Sequence, residues 1–185
     1  VGNARIIEHR RPGPQELQRA CIIRGKLTAS GKKKPEGTAV WLERNGQVLA
    51  CVFSMSEADY QMVVFDAAGS YDLLALNAHG AARLSGLQLQ PDRVIQQDLV
   101  FPKPASTQTG EEALVDGSIR LLQQKEPNAR AAASRLLNSL GERGSRAMPA
   151  LLAAIQTADR PLLHPLLGTL VSMKPRMRRR TSASD

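Results

Sequence analysis

The stretch TAVWLERNGQVLACVFS, residues 38–54, decides the fold. Asn45-Gly46 at its centre is the strongest short hairpin signal a chain offers, because both residues tolerate positive φ. Before it, Val40 and Leu42 alternate with Trp41 and Glu43, the period of a half-buried strand. Residues 47–54 form the expected return strand. If Val40 and Leu42 face a core, Trp41 points away from it, since successive strand side chains leave on opposite faces.

The same alternation extends in both directions. Ile23, Gly25 and Leu27 interleave with Arg24 and Lys26, and Ser30-Gly31 and the Lys-Pro-Glu-Gly of 34–37 have turn chemistry. Further strands are expected over 60–65 and 70–77, the second broken by Ala78-His79-Gly80. Two more follow over 84–89 and 94–101, with Ile95, Leu99 and Phe101 inward. Seven short strands separated by turns predict an antiparallel β-sandwich over 21–101.

Beyond Phe101 the composition changes. All six aromatic residues lie between Trp41 and Phe101, and none follows. The prolines and Ser/Thr/Gly cluster of 102–110 read as a linker. From 111 the apolar period becomes helical. A first helix over 111–126 carries Leu114, Ile119, Leu121 and Leu122, and Pro127 is expected to stop it. Asn128 is the expected cap of a helix to Leu140, with Gly141 as its stop. Ser145 would cap a helix from Arg146 tolerating Pro149, and Asp159 one opening at Pro161 and lined by Leu162, Leu163, Leu166, Leu167 and Leu170. The fold class is therefore α+β in two domains. A basic segment 1–20 precedes the seven-stranded sandwich of 21–101, and a small helical unit over 111–173 is followed by a basic tail, 174–185.

The net charge of +8 is unevenly placed. Residues 1–26 carry six Lys/Arg against two Glu, Lys32, Lys33 and Lys34 share one turn, and Lys174, Arg176, Arg178, Arg179 and Arg180 crowd the tail, leaving the remainder mildly acidic. A nucleic-acid binder usually spreads its cations along a folded face, so basic ends read first as solvated tails.

Two resemblances rest on these residues. Ile23-Arg-Gly25-Lys-Leu27, Gly31, Pro35, Gly37, Ala39-Val40-Trp-Leu42, Gly69-Ser-Tyr71-Asp-Leu73 and Gly80 resemble the carboxypeptidase regulatory-like domain, a transthyretin-like sandwich. Asp59 stands where that family has a glycine before the tyrosine. The resemblance implies an accessory domain that packs, spaces or displays ligands without a reaction, in a periplasmic or extracellular setting. Arg130-x-x-Ala133-x-x-x-Leu137-x-x-Leu140-Gly141, then Ala147-x-Pro149-x-Leu151-Leu152, resembles a short bacterial HEAT-like repeat. Such repeats bury their faces against neighbours, so one or two of them must lean on the sandwich, a partner or further sequence. The resemblance implies protein–protein docking.

Residues that could carry chemistry are sparse. The sequence has no nucleophile elbow, phosphate loop, dinucleotide fingerprint or zinc-protease motif. His9, His79 and His164 are scattered and read as surface or capping residues. Cys21 and Cys51 either pair or serve as small buried hydrophobes. No apolar run is long enough for a membrane span. The chain starts at Val1 without a signal-peptide pattern, consistent with an export signal removed from a precursor.

The expectation is a non-enzymatic protein-interaction or scaffold module of a larger or exported bacterial protein, with a protein partner and no cofactor or metal. The candidate binding residues are Trp41, Lys32, Lys33, Lys34, Arg176, Arg178, Arg179 and Arg180. One alternative is a nucleic-acid or ribonucleoprotein component using the basic ends as arms. The other is a carbohydrate-recognising accessory domain, resting on Trp41 as a stacking platform if exposed and otherwise covered by 1–20 or by the helices.

Overall fold

The Asn45-Gly46 turn forms as expected. Both residues have positive φ, 53° and 77°, and they join two strands, β2 (Thr38–Arg44) and β3 (Gln47–Ser54), in antiparallel register. The structure is a computed structural model and describes residues 19–29, 37–54, 59–65, 67–78, 80–102 and 107–173. Among these, β1 (Ala20–Ala29), β4 (Asp59–Phe65), β5 (Gly69–Asn77), β6 (Gly80–Leu89), β7 (Arg93–Gln96) and β8 (Leu99–Phe101) complete the strands. Two four-stranded sheets result. One has β1 at its centre, with β4 on one side and β7 and β8 in succession on the other; the second runs β3-β2-β5-β6.

Two expectations are corrected here. The described strands number eight, because 94–101 is not one strand: Gln97 and Asp98 interrupt it. Nor is the pairing wholly antiparallel, since both β7 and β8 run parallel to β1. The interruption has a local cause. The Gln97 amide donates to the Arg24 carbonyl at 2.8 Å, and the Gln97 carbonyl accepts from the Tyr60 hydroxyl. Asp98 then takes the Lys26 amide on its side chain at 2.8 Å. The edge strand steps inward over Gly25, and each of these backbone groups still finds a partner.

Between the sheets lies one apolar layer, including Ile23, Leu27, Val40, Leu42, Leu73, Leu89 and Phe101. The alternation read from the sequence places Val40 and Leu42 there. The opposite face of the second sheet is covered as well. Ala39, Trp41, Cys51, Leu74 and Leu76 point into a second apolar layer shared with helices. This explains why β2 and β5 are buried along almost their whole length on both faces.

The helices are α1 (Thr107–Leu122), α2 (Pro127–Leu140), α3 (Met148–Gln156) and α4 (Arg160–Ser172), with a 3-10 segment over Gly141–Ala147. Their order and approximate places match the helical periods, while their ends differ. α1 starts at Thr107, inside the expected linker of 102–110, and stops at Leu122. Pro127 opens α2 instead of closing α1, and Glu126, not Asn128, caps it by accepting the Ala129 amide. Proline suits a first helical turn because its missing N–H has no acceptor there in any case. Gly141 ends α2 at φ 54° as expected. The 3-10 segment delays the next helix from Arg146 to Met148. Asp159 occupies the cap position of α4 without a side-chain capping bond.

α1 and α2 lie directly on the second sheet, and α4 packs on α2, α3 and the 3-10 segment. Gly117 lets α1 approach closely: a Cβ there would sit 2.4 Å from Leu76 Cδ2. Helices and second sheet therefore share one apolar layer. No helix of the described residues is long and apolar enough to cross a membrane.

Candidate docking site

Trp41 leaves the inter-sheet core, as the alternation requires, but it does not reach solvent. It is 3% exposed and packed beneath the helices. Its indole Nε1 donates to Glu43 Oε2 at 3.0 Å, two positions along the same strand face. Glu43 is itself buried and meets Arg120 of α1, whose Nη2 lies 2.7 and 2.6 Å from its two carboxylate oxygens. One turn further on, the Gln124 side chain accepts the Val48 amide at 3.1 Å. These contacts fasten α1 to β2 and β3. A covered indole offers no face for a sugar or a partner, so Trp41 is a structural residue, and the reason is that both faces of its sheet are occupied.

The other candidate binding residues, Lys32, Lys33, Lys34, Arg176, Arg178, Arg179 and Arg180, lie outside the described residues, as do His9 and His79. Cys21 and Cys51 are free and buried in different layers, Cys21 between the sheets and Cys51 under the helices. Burial pushes both thiols above their usual range, reinforced at Cys51 by the Glu126 carboxylate.

Besides a small hollow of about 140 Å³ lined by Glu111, Glu112, Val115, Arg143 and Arg146, two larger concavities lie among the described residues. The first, about 450 Å³, lies over the first sheet and is lined by Arg24, Lys26, Asp59, Gln61 and Gln96. Its charges are mixed. Asp59 stands opposite Lys26 in the strand register, and Arg24 Nε donates to Gln96 Oε1 at 3.2 Å.

The second, about 330 Å³, runs between α2 and α4, bordered by Arg135, Asn138, His164 and Gly168. Ser134 and Thr169 form its floor. Their hydroxyls are 2.7 Å apart, and both also reach the Pro165 carbonyl. Two small polar side chains let the helices meet closely, and their mutual hydrogen bonds offset the cost of burying them. Arg135 stands over the Phe53 ring, 5.2 Å from Cζ to its centroid, so the groove wall is braced against β3. Nearby on α4, Leu167 and Val171 are 43% and 68% exposed. Leu167 was expected inward; α4 has no further helix outside it among the described residues, so that side of it faces solvent.

Sequence reasoning missed this groove because its two walls are about thirty residues apart. One signal was available: helices α2, α3 and α4 contain Arg130, Arg135, Arg160 and His164 but no Asp or Glu. Among the described residues, no group of three or more His, Cys, Asp or Glu side chains is placed to hold a metal ion. In comparisons with known proteins, the chain matches no family model and no curated relative.

Proposed function

We propose that this chain is a non-enzymatic protein-interaction module in which the two sheets serve as a mount and helices α2–α4 form the docking layer. The observation that carries the reading is the uncovered apolar side of the last helix pair. Leu152, Leu167 and Val171 are large exposed hydrophobics on α3 and α4, while the opposite side of the helical layer is anchored to the sheet through Trp41, Glu43 and Arg120. Exposed apolar side chains gathered on one rigid layer are typical of interaction surfaces. Under this reading α2 and α3 form one short HEAT-like repeat with a degenerate half beside it, and the β part is a carboxypeptidase regulatory-like domain. Short helix connections favour the first assignment, and the close approach at Gly25 favours the second.

A photo-crosslinking residue placed at Val171, compared with one at Val94 on the opposite side of the protein, tests the docking face. Both positions are well exposed. Adducts with a second protein should form from position 171 and not from 94, and the purified adduct partner should bind the unmodified chain. Adducts from both positions alike, or from neither, would remove the helical layer as the docking surface.

A further inference from the structure

We propose that the α2–α4 groove receives an acidic segment of a partner protein, with a carboxylate held by Arg135 and His164 and an adjoining apolar side chain laid across Gly168. This deepens the docking reading and rests on it.

The first argument is charge. Residues 37–126 hold eleven Asp and Glu against six Lys and Arg, whereas residues 127–173 hold five arginines and a histidine against two carboxylates, Glu142 and Asp159, both outside the helices α2, α3 and α4. Three arginines of the helical part pair with carboxylates, Arg120 with Glu43, Arg143 with Glu111 and Arg146 with Asp116, and Arg130 donates to the Gln124 and Thr157 carbonyls. Arg135, like Arg160, has no carboxylate partner among the described residues, and of the two it alone borders the groove. Among the described residues its contact is the Phe53 ring, and no ion pair is made to it. Stacking on a ring restrains a guanidinium while leaving its N–H fork to bind a carboxylate, which lowers the ordering cost of binding. Asn138 and His164 border the same groove and add polar groups to it.

The second argument is shape. Gly168 sits inside α4, where glycine costs about 1 kcal/mol relative to alanine. Among the described residues nothing explains it by packing, since a Cβ there would meet none of their atoms within 4 Å. The bare helix backbone at Gly168 leaves open space along the groove beside Leu167. Pro165 continues the wall.

A protein segment fits this surface better than a nucleic acid. Single-stranded nucleic acids gain affinity by stacking bases on aromatic faces. No aromatic residue occurs after Phe101, and Phe53 is already under Arg135. Electrostatic complementarity with an acidic, partly apolar peptide remains.

The test uses the full chain and fluorescence polarisation of a fluorescein-labelled peptide of Glu-Glu-Leu repeats. Its Gln-Gln-Leu and Lys-Lys-Leu counterparts and a labelled oligouridylate serve as comparison probes. The Glu peptide should bind at least tenfold tighter than either counterpart. Arg135→Glu combined with His164→Glu should abolish that preference, whereas Arg93→Glu on the far sheet should change it less than twofold. Gly168→Leu should weaken binding at least tenfold without lowering the melting temperature, which separates a blocked groove from an unfolded one. Equal binding of the Gln peptide, oligouridylate binding that depends on Arg135, or self-association of the chain abolished by Gly168→Leu would each overturn the proposal. If crosslinks from Val171 still capture a partner while the Glu peptide fails, the acidic assignment falls and the docking reading stands.

Discussion

The carbonyl oxygen of Gln97 lies 1.7 Å from where a Cβ on Gly25 would be built. This makes Gly25 the crossing point of the first sheet. The edge strand passes over β1 at the one residue without a side chain, and the Tyr60 hydroxyl secures the crossing by donating to the same carbonyl.

Gly25→Ala should therefore be severe. Backbone, not a flexible side-chain tip, occupies the space, so β7 and β8 must shift or detach. We expect a loss of about 3 kcal/mol or more, comparable to other severe core insults. Gly46→Ala is the control: its φ of 77° is strained for alanine but the surrounding space is open. It should cost about 1 kcal/mol. Urea unfolding of both variants checks the order, and equal losses would mean that β1 and the Gln97 segment are not in such close contact.

The Trp41–Glu43–Arg120 contact should control how firmly the helices sit on the sheet. Glu43→Ala strands the indole N–H in a buried layer and removes the partner of Arg120. Because the Arg120 side chain is 42% exposed, the loss should be about 2 kcal/mol, below that of a fully buried pair. Glu43→Gln keeps an acceptor for the indole and should lose about 1 kcal/mol. Trp41 is the only tryptophan, so its fluorescence reports the same event. Emission unchanged in Glu43→Ala would mean that the contact does not control how the helices cover Trp41.

Ser118 of α1 is fully buried, and its hydroxyl has no hydrogen-bond partner among the described residues. Removing an unsatisfied buried hydroxyl relieves its desolvation cost, and alanine is the better helix former. Ser118→Ala should raise stability by about 1 kcal/mol, read as a higher urea midpoint. A destabilised variant would mean that the hydroxyl is bound after all.

Cys51 and Cys21 should resist thiol reagents in the native protein at pH 8 and react on unfolding. Burial raises both thiols, with Glu126 adding to the rise at Cys51 and a backbone hydrogen bond partly opposing it at Cys21. A raised folded value means the native state holds its protons more tightly. Its stabilisation is complete below the unfolded thiol value of about 8.5 and erodes as pH rises beyond it. The urea midpoint should accordingly fall between pH 8 and 10, and fall less in the Cys21→Ala, Cys51→Ala double variant. Rapid labelling of the folded chain by Ellman's reagent would refute the burial.

The sequence by itself determined what local backbone physics controls. Period-two alternation placed β2 and β3 to the residue, Asn45-Gly46 set their turn, and Gly141 ended α2. These depend on φ preference and on neighbours a few positions away. It also holds the absence of any carboxylate from the last three helices. Only the tertiary structure decided the rest. Trp41 alternates like an outward residue, and it is the arrival of α1, about eighty positions later, that buries it. The seventh strand splits because Gln97 must pass Gly25, and β7 and β8 run parallel to β1 because the chain returns along its other side. Arg135 and His164 come to border one groove because Ser134 and Thr169 bring α2 and α4 together. Each of these is a contact between distant segments, and the period of a strand or helix carries no information about which distant segment will cover it.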